Sequence, residues 1–194
     1  MIVARALGAA GCDVVAKVGT PFGWAGVSSE EDARARCAKL ASSAGVPAVM
    51  AGLAIVDALR ALGAGKVALA PTYYSDDWRD AWRSFVSACG LNVVLCESLS
   101  DQGLAPSASP TDELGWLIGQ EQISASVATL AQNPRGAEAI VVTGAGCRTN
   151  LIIEPLEHVA QMPVIGADTA LFWAAAKSAG VPLKPGALGA LTDA

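Results

Sequence analysis

Short apolar runs that alternate with helical stretches restrict the fold of this chain more than any other feature of its sequence. Bounded by Gly, Pro or Asp, these runs are typical of buried parallel strands, and they cover residues 13–18, 46–50, 66–71, 92–96, 139–143 and 163–165. Helices are predicted between them at 30–44, 52–62, 76–88, 112–131, 150–160 and 168–179, with N-caps at Ser29, Ser75 and Thr111. The alternation predicts an α/β fold in which helices cover both faces of parallel sheets.

Two parts of the chain resemble each other. Residues 46–54 align with residues 162–170, and upstream of each lies a strand that ends in a small-residue turn, Gly19-Thr20 in one part and Gly144-Ala145 in the other. We therefore expect two pseudo-symmetric lobes, the first made of residues 1–63 with 167–194 and the second of residues 64–166. Ligands of open α/β sheets bind beyond the carboxyl ends of the strands, so the two turns are expected to face each other across a cleft. The alternative is a pair of ordinary strand-to-helix turns.

Composition excludes several classes of protein. The 194 residues are 53% hydrophobic and 16% charged, which indicates a folded domain with a large core. With 13 Lys and Arg against 18 Asp and Glu, the chain lacks the basic surface that binds nucleic acid. The longest uncharged run, residues 40–56, is broken by Ser, Gly and Pro, so we expect no membrane segment and a cytoplasmic protein. The five cysteines form no CxxC pair and are expected to be free thiols.

The segment 143–150 is the strongest candidate for chemistry. It is predicted to end a strand and open a helix, so its backbone N–H groups and the helix dipole would attract an anion. A thiol at that place is expected to have a lowered pKa, which makes Cys147 a candidate reactive thiolate; alternatively, Cys147 is a small buried filler. Arg148 is expected to bind either a substrate carboxylate or a surface acid.

Other candidates carry weaker signals. Gly144-x-Gly146 before a predicted helix is part of a dinucleotide fingerprint, but its third glycine position is Thr149. Tyr73 follows a strand and either donates to an oxyanion or packs in the core. His158 is the only histidine, which argues against a zinc centre, so no metal site is expected.

The turns and strands together resemble the aspartate/glutamate racemase superfamily, in the branch of arylmalonate decarboxylase and maleate cis-trans isomerase. The resemblance runs from about Asp13 to the C-terminal region. The resemblance rests on five segments: residues 13–15 leading to 19–22, residues 54–59 with 62–63, residues 67–70 leading to Tyr73, residues 141–149, and residues 163–164 through 170, 172 and 173.

This resemblance implies cofactor-free decarboxylation, isomerisation or racemisation of a small mono- or dicarboxylate through an enediolate-like intermediate. The two cysteine positions of the family fall on Gly19 and Gly144, so the resemblance leaves Cys147 as the hypothetical proton donor. A catalytically silent carboxylate-binding homologue is the alternative, because both family cysteines are replaced. The implied substrate-binding residues are Gly19, Thr20, Pro21, Tyr73, Gly144, Ala145, Gly146, Arg148 and Thr149.

Family members usually open with a strand and a polar turn upstream of the helix that here is predicted to begin at Met1. A fragment, a misplaced gene start or a lost sheet edge would each account for the difference. In each case apolar surface is expected to be exposed and to need a partner, which makes a homodimer possible.

Overall fold

The computed structural model describes residues 2–19, 26–27, 29–105, 118–144 and 146–194. Two short 3₁₀ helices, Thr149–Leu151 and Leu191–Asp193, accompany the regular elements. In chain order those elements are α1 (Ile2–Ala9), β1 (Val15–Lys17), α2 (Glu30–Ala44), β2 (Ala48–Met50), α3 (Ala51–Ala61), β3 (Lys66–Pro71), α4 (Asp76–Ala88), β4 (Asn92–Cys96), α5 (Gln120–Gln132), β5 (Ala139–Thr143), α6 (Ile153–Ala160), β6 (Val164–Gly166), α7 (Ala167–Ala179) and β7 (Ala187–Ala190).

Strands β1 to β6 form two parallel sheets. The larger sheet has the order β4-β3-β5-β6, and the smaller one pairs β1 with β2. β5 and β6 are in register from Ile140 opposite Val164, as β1 and β2 are from Val15 opposite Ala48. The predicted α/β fold with parallel sheets is confirmed.

Side chains alternate between the two faces of the larger sheet. Val67 and Leu69 of β3 belong to a core that includes residues of α3, α4 and α7, whereas Ala68 and Ala70 belong to a core shared with α5 and α6. All four side chains are fully buried. Helices therefore cover both faces, which explains why the central strands have nearly continuous apolar sequences.

The internal similarity has a direct structural counterpart. β2 continues into α3 at Met50 and Ala51 without a loop, and β6 continues into α7 at Gly166 and Ala167 in the same way. α3 and α7 pack against each other and contribute to one core. The starts of both helices thus lie at the carboxyl ends of the strands, where the glycine turns also lie. The lobe boundaries remain a prediction.

Some predicted helix limits were wrong. The helix expected at 112–131 begins at Gln120, after an extended Gly119 whose backbone N–H donates to Oε1 of Gln122; residues 112–117 and the predicted cap Thr111 lie outside the described residues. The helix expected at 150–160 divides into a 3₁₀ turn and α6, because Ile152 between them leaves helical geometry (φ −134°, ψ 14°).

One predicted helix cap is confirmed, and one strand was not predicted. The Ser29 side chain caps α2 by accepting the backbone N–H of Asp32 at 3.1 Å, as predicted. β7 was not predicted from the sequence. Among the described helices, none is long and apolar enough to cross a membrane.

Candidate active site

A cavity of about 110 Å³ lies at the carboxyl ends of β1, β2, β5 and β6. Gly19 follows β1 and Gly144 follows β5, and both contribute to its wall, so the described parts of the two predicted turns meet at one cavity. Thr20, Pro21 and Ala145 lie outside the described residues. The cavity is lined by Val18, Gly19, Ala51, Gly144, Cys147, Ala167, Asp168, Leu171 and Phe172.

Gly144 fills a position where no larger residue fits. Its φ of +147° lies in a region that other residues rarely adopt. A Cβ atom on Gly144 would lie 2.5 Å from Oγ1 of Thr72 and 2.7 Å from Cε1 of Tyr73. The backbone of the β5 turn therefore passes directly against the turn that follows β3.

Cys147 closes the same turn, and its sulfur lies between Gly144 and Thr72. Its backbone N–H donates to the carbonyl of Gly144 at 3.0 Å. Its Sγ lies 3.2 Å from Oγ1 of Thr72 and 3.0 Å from the point where a Cβ on Gly144 would be. The Cys147 thiol thus lies next to the position that the Cβ atom of a larger residue 144 would occupy.

The predicted ionisation of Cys147 was wrong. The residue does not lie in the first turn of a helix; it precedes a 3₁₀ helix of three residues, so the helix whose dipole was expected to lower the pKa of the thiol does not form there. Burial raises the pKa of the Cys147 thiol to about 11, with the hydrogen-bond contact between Thr72 and the sulfur opposing this shift and the nearby Asp168 carboxylate adding to it. With 5% of its surface exposed, the thiol is protonated at neutral pH.

Asp168, at the start of α7, joins the β5 turn to that helix. Its carboxylate accepts the hydroxyl of Thr149, the backbone N–H of Asn150 at 3.1 Å and that of Thr169 at 2.9 Å. The approach is close enough that a Cβ on Gly166 would lie 2.5 Å from Oδ1 of Asp168. We call this set of contacts, made by Asp168 with Thr149, Asn150 and Thr169, the Asp168 clamp.

The remaining predicted residues have different surroundings. The half-buried ring of Tyr73 packs against Gly144 and makes an edge contact with Tyr74, at 5.8 Å between ring centroids. Gly146 is half-buried and Arg148 is exposed, and the described lining of the cavity includes neither. Since Gly146 leads to a single 3₁₀ turn, the helix that a dinucleotide fingerprint requires is missing at this place.

Two residues that the geometry brings to Cys147 were not among the predicted site residues. Thr72 directly follows β3, so the rule that sites lie at the carboxyl ends of strands would have selected it beside Tyr73. Asp168 was not selected either. Its second position in α7, which directly follows β6, was the available signal.

Comparisons with known proteins agree with this architecture. A crystal structure of arylmalonate decarboxylase superposes with a TM-score of 0.83 at 25% identity, covering 98% of this chain and 79% of the other. The maleate isomerase Iso from Pseudomonas putida S16 gives a TM-score of 0.82 at 19% identity, with 97% and 73% of the chains covered.

A Nocardia farcinica maleate cis-trans isomerase variant with a covalently bound succinylcysteine intermediate gives a TM-score of 0.78 at 20% identity, covering 92% of this chain and 70% of the other. No curated protein matches the sequence. The model of the arylmalonate decarboxylase family matches residues 1–192. Because that match takes in nearly the whole sequence, the chain belongs to the arylmalonate decarboxylase family.

Proposed function

We propose that this chain is a cofactor-independent decarboxylase of small malonate-type dicarboxylates, in which Cys147 donates the proton that replaces the departing carboxyl group. The observation that carries the proposal is a buried, protonated thiol in the wall of a small cavity. Family membership and the likeness to arylmalonate decarboxylase support the reaction class.

The reaction needs only groups that this chain supplies. The bond between the α-carbon and one carboxylate breaks, CO₂ leaves, and the electron pair stays on the substrate as an enediolate. The S–H bond of Cys147 then breaks as a C–H bond forms at the α-carbon, which gives a monocarboxylate and a thiolate. A proton from water restores the thiol after the product leaves.

The cavity walls favour loss of a carboxylate. Val18, Ala51, Ala167, Leu171 and Phe172 contribute apolar surface, which stabilises neutral CO₂ better than the charged group it comes from. Asp168 adds a negative charge on one side. The carboxylate that stays on the substrate is therefore expected at the two glycine turns, held by backbone N–H groups of residues 144–146, Thr20 and Tyr73.

The state of the thiol favours decarboxylation over cis-trans isomerisation. The succinylcysteine in the Nocardia farcinica maleate isomerase variant joins a sulfur to the substrate, and a thiolate is the form of cysteine that attacks carbon. The pKa of the Cys147 thiol, about 11, leaves on the order of one molecule in 10⁴ ionised at pH 7. A protonated thiol is suited to donate a proton and poorly suited to attack a double bond.

The test is turnover of phenylmalonate and methylmalonate, followed as CO₂ release, by the wild type and by Cys147→Ser. We expect the wild type to decarboxylate at least one of them and the variant to lose about 10²-fold or more in kcat, the usual contribution of a general acid. Cys37→Ser is the matched control. Its thiol donates to the Ala48 carbonyl at 3.2 Å and does not line the cavity, so kcat should be unchanged.

Three results would contradict the proposal. Undiminished turnover by Cys147→Ser would remove Cys147 from the mechanism. A covalent adduct of maleate on Cys147, seen by mass spectrometry together with fumarate formation, would assign the isomerase reaction instead. Thermal stabilisation by malonates without any turnover would identify a carboxylate-binding protein.

A further inference from the structure

Thr72 has a single hydroxyl proton and two neighbours that can interact with it. The residue directly follows β3 and is 1% exposed. Its Oγ1 lies 2.9 Å from the carbonyl oxygen of Thr143 and 3.2 Å from Sγ of Cys147. A carbonyl oxygen can only accept, so whenever the hydroxyl donates to Thr143, the S–H of Cys147 must be the donor to Oγ1.

We propose that Thr72 is the positioning residue for the Cys147 thiol: it accepts the S–H bond before proton transfer and donates its own O–H to the thiolate afterwards. The inference rests on the proposed function, in which Cys147 is the proton donor. The change requires only rotation about the C–O bond of Thr72, from the Thr143 carbonyl to the sulfur. No other heavy atom needs to move.

The backbone makes this rotation inexpensive. The carbonyl of Thr143 also accepts the backbone N–H of Thr72 at 3.0 Å, so it keeps a hydrogen bond when the hydroxyl turns away. A buried carbonyl without any donor would oppose the rotation. The pairing of β3 with β5 thus supplies the second donor at the position where the hydroxyl changes partner.

Proton balance is preserved throughout. Cys147 loses its proton to the α-carbon of the substrate, and the Thr72 hydroxyl keeps its proton while changing its acceptor. Water then protonates the thiolate, and the hydroxyl returns to the Thr143 carbonyl. Thr72 is never deprotonated, which agrees with the very weak acidity of an alcohol.

The titratable groups around the thiol do not replace Thr72 in this role. Asp168 faces the thiol from α7, but its carboxylate already accepts hydrogen bonds from Thr149, Asn150 and Thr169. Tyr73 reaches the neighbouring Gly144 from the turn after β3, and Cε1, a carbon atom, is the part of its side chain nearest to a Cβ placed on Gly144. Within the described part of the chain, the hydroxyl of Thr72 is the polar side-chain atom in hydrogen-bond contact with the sulfur.

Infrared spectroscopy of the S–H stretching band tests the contact without any substrate. The band of Cys147 is identified as the part of the full-length protein's spectrum that disappears in Cys147→Ala. Thr72→Val keeps the shape of the side chain and removes the acceptor, so the Cys147 band should move to higher wavenumber. Thr72→Ser restores the acceptor and should return the band towards its wild-type position.

The thiolate form provides a second readout. Thr72→Val should raise the pKa of Cys147, followed by thiolate absorbance as a difference from Cys147→Ala, by about one unit or more, since it removes a hydrogen bond to a charged group. Thr72→Ser should leave the pKa near the wild-type value. In turnover, Thr72→Val should lower kcat with little change in KM.

The outcomes separate this inference from the proposed function. An S–H band and a thiol pKa that are both unchanged in Thr72→Val would overturn the role of Thr72, while decarboxylation dependent on Cys147 would still stand. A shifted band in a protein whose Cys147→Ser variant remains fully active would retain the contact but overturn its catalytic meaning. Circular dichroism of each variant shows whether the fold is retained.

Discussion

At the scale of single residues, Gly144 has no space for a side chain. A methyl group there would contact Oγ1 of Thr72 at 2.5 Å and Sγ of Cys147 at 3.0 Å, on a backbone with φ of +147°. We therefore expect Gly144→Ala to lower the free energy of unfolding by about 1–3 kcal/mol, which for a chain of this length corresponds to a melting temperature lower by roughly 2–4 °C for each kcal/mol.

Gly65→Ala is the matched control for this prediction. A Cβ on Gly65 would have Glu138 Oε2 as its nearest neighbour, at 3.7 Å, and the backbone has no positive φ. Its melting temperature should stay close to that of the wild type. If Gly144→Ala melts at the same temperature as Gly65→Ala, the close approach at Gly144 is wrong.

The sequence predicted the positions of Gly19 and Gly144 at the cavity, but it did not predict the environment of Cys147. The two glycines were identified because each follows an apolar run, and strand ends are local features. The environment of Cys147 depends on Thr72, 75 positions away along the chain, and on Asp168 in α7. Local reasoning assumed a helix at Cys147 and so predicted the wrong direction for the pKa of its thiol.

At the scale of elements, the Asp168 clamp fixes the turn after β5 against α7. Thr149 is fully buried, and its hydroxyl donates to the Asp168 carboxylate. Replacing it with valine leaves the half-buried Asp168 carboxylate with one donor fewer. We expect Thr149→Val to lower the free energy of unfolding, measured in urea, by about 1.5–3 kcal/mol, the usual contribution of a hydrogen bond to a charged group.

Thr129→Val provides the same chemical change outside the clamp. The Thr129 hydroxyl donates to the carbonyl of Ala125 within α5, on a more exposed surface. Its loss should change the free energy of unfolding by less than about 0.5 kcal/mol. Equal effects of the two substitutions would show that the clamp contributes nothing specific to stability.

Regular elements were the part of the fold that sequence described best. The predicted limits are confirmed for five elements, because each combines apolar periodicity with a clear turn or cap at its ends. These are β3, β4, β5, α2 and α4. The division of residues 149–160 was not predicted. Asp168 binds the hydroxyl of Thr149 and the N–H of Asn150, so a contact with α7 shapes the backbone there.

At the scale of the whole molecule, buried thiols link stability to alkaline pH. Burial is the largest cause that raises the pKa of Cys89 to about 11, of Cys96 to about 12 and of Cys147 to about 11. Above about pH 9 the unfolded chain loses thiol protons that the folded chain keeps. Each thiol should therefore lower the free energy of unfolding by up to about 1.4 kcal/mol per pH unit until its folded pKa is reached.

Urea unfolding in a series of buffers from about pH 8 to about pH 11 measures this slope. Cys89→Ala should lower the slope by close to one proton, while the contributions of Lys and Tyr cancel in the comparison with the wild type. Comparing slopes removes any constant cost of the substitution. Identical slopes for the two proteins would mean that Cys89 ionises equally in the folded and unfolded chain.

The two junctions where a strand passes into a helix without a loop limit how this architecture can diversify. Ala51 and Ala167 line the cavity at those junctions, next to Met50 and Gly166 in the strands. An inserted residue there would shift the register of a strand or rotate a helix that packs in the core. New substrate preferences would therefore have to arise by exchanging side chains along the wall of the cavity.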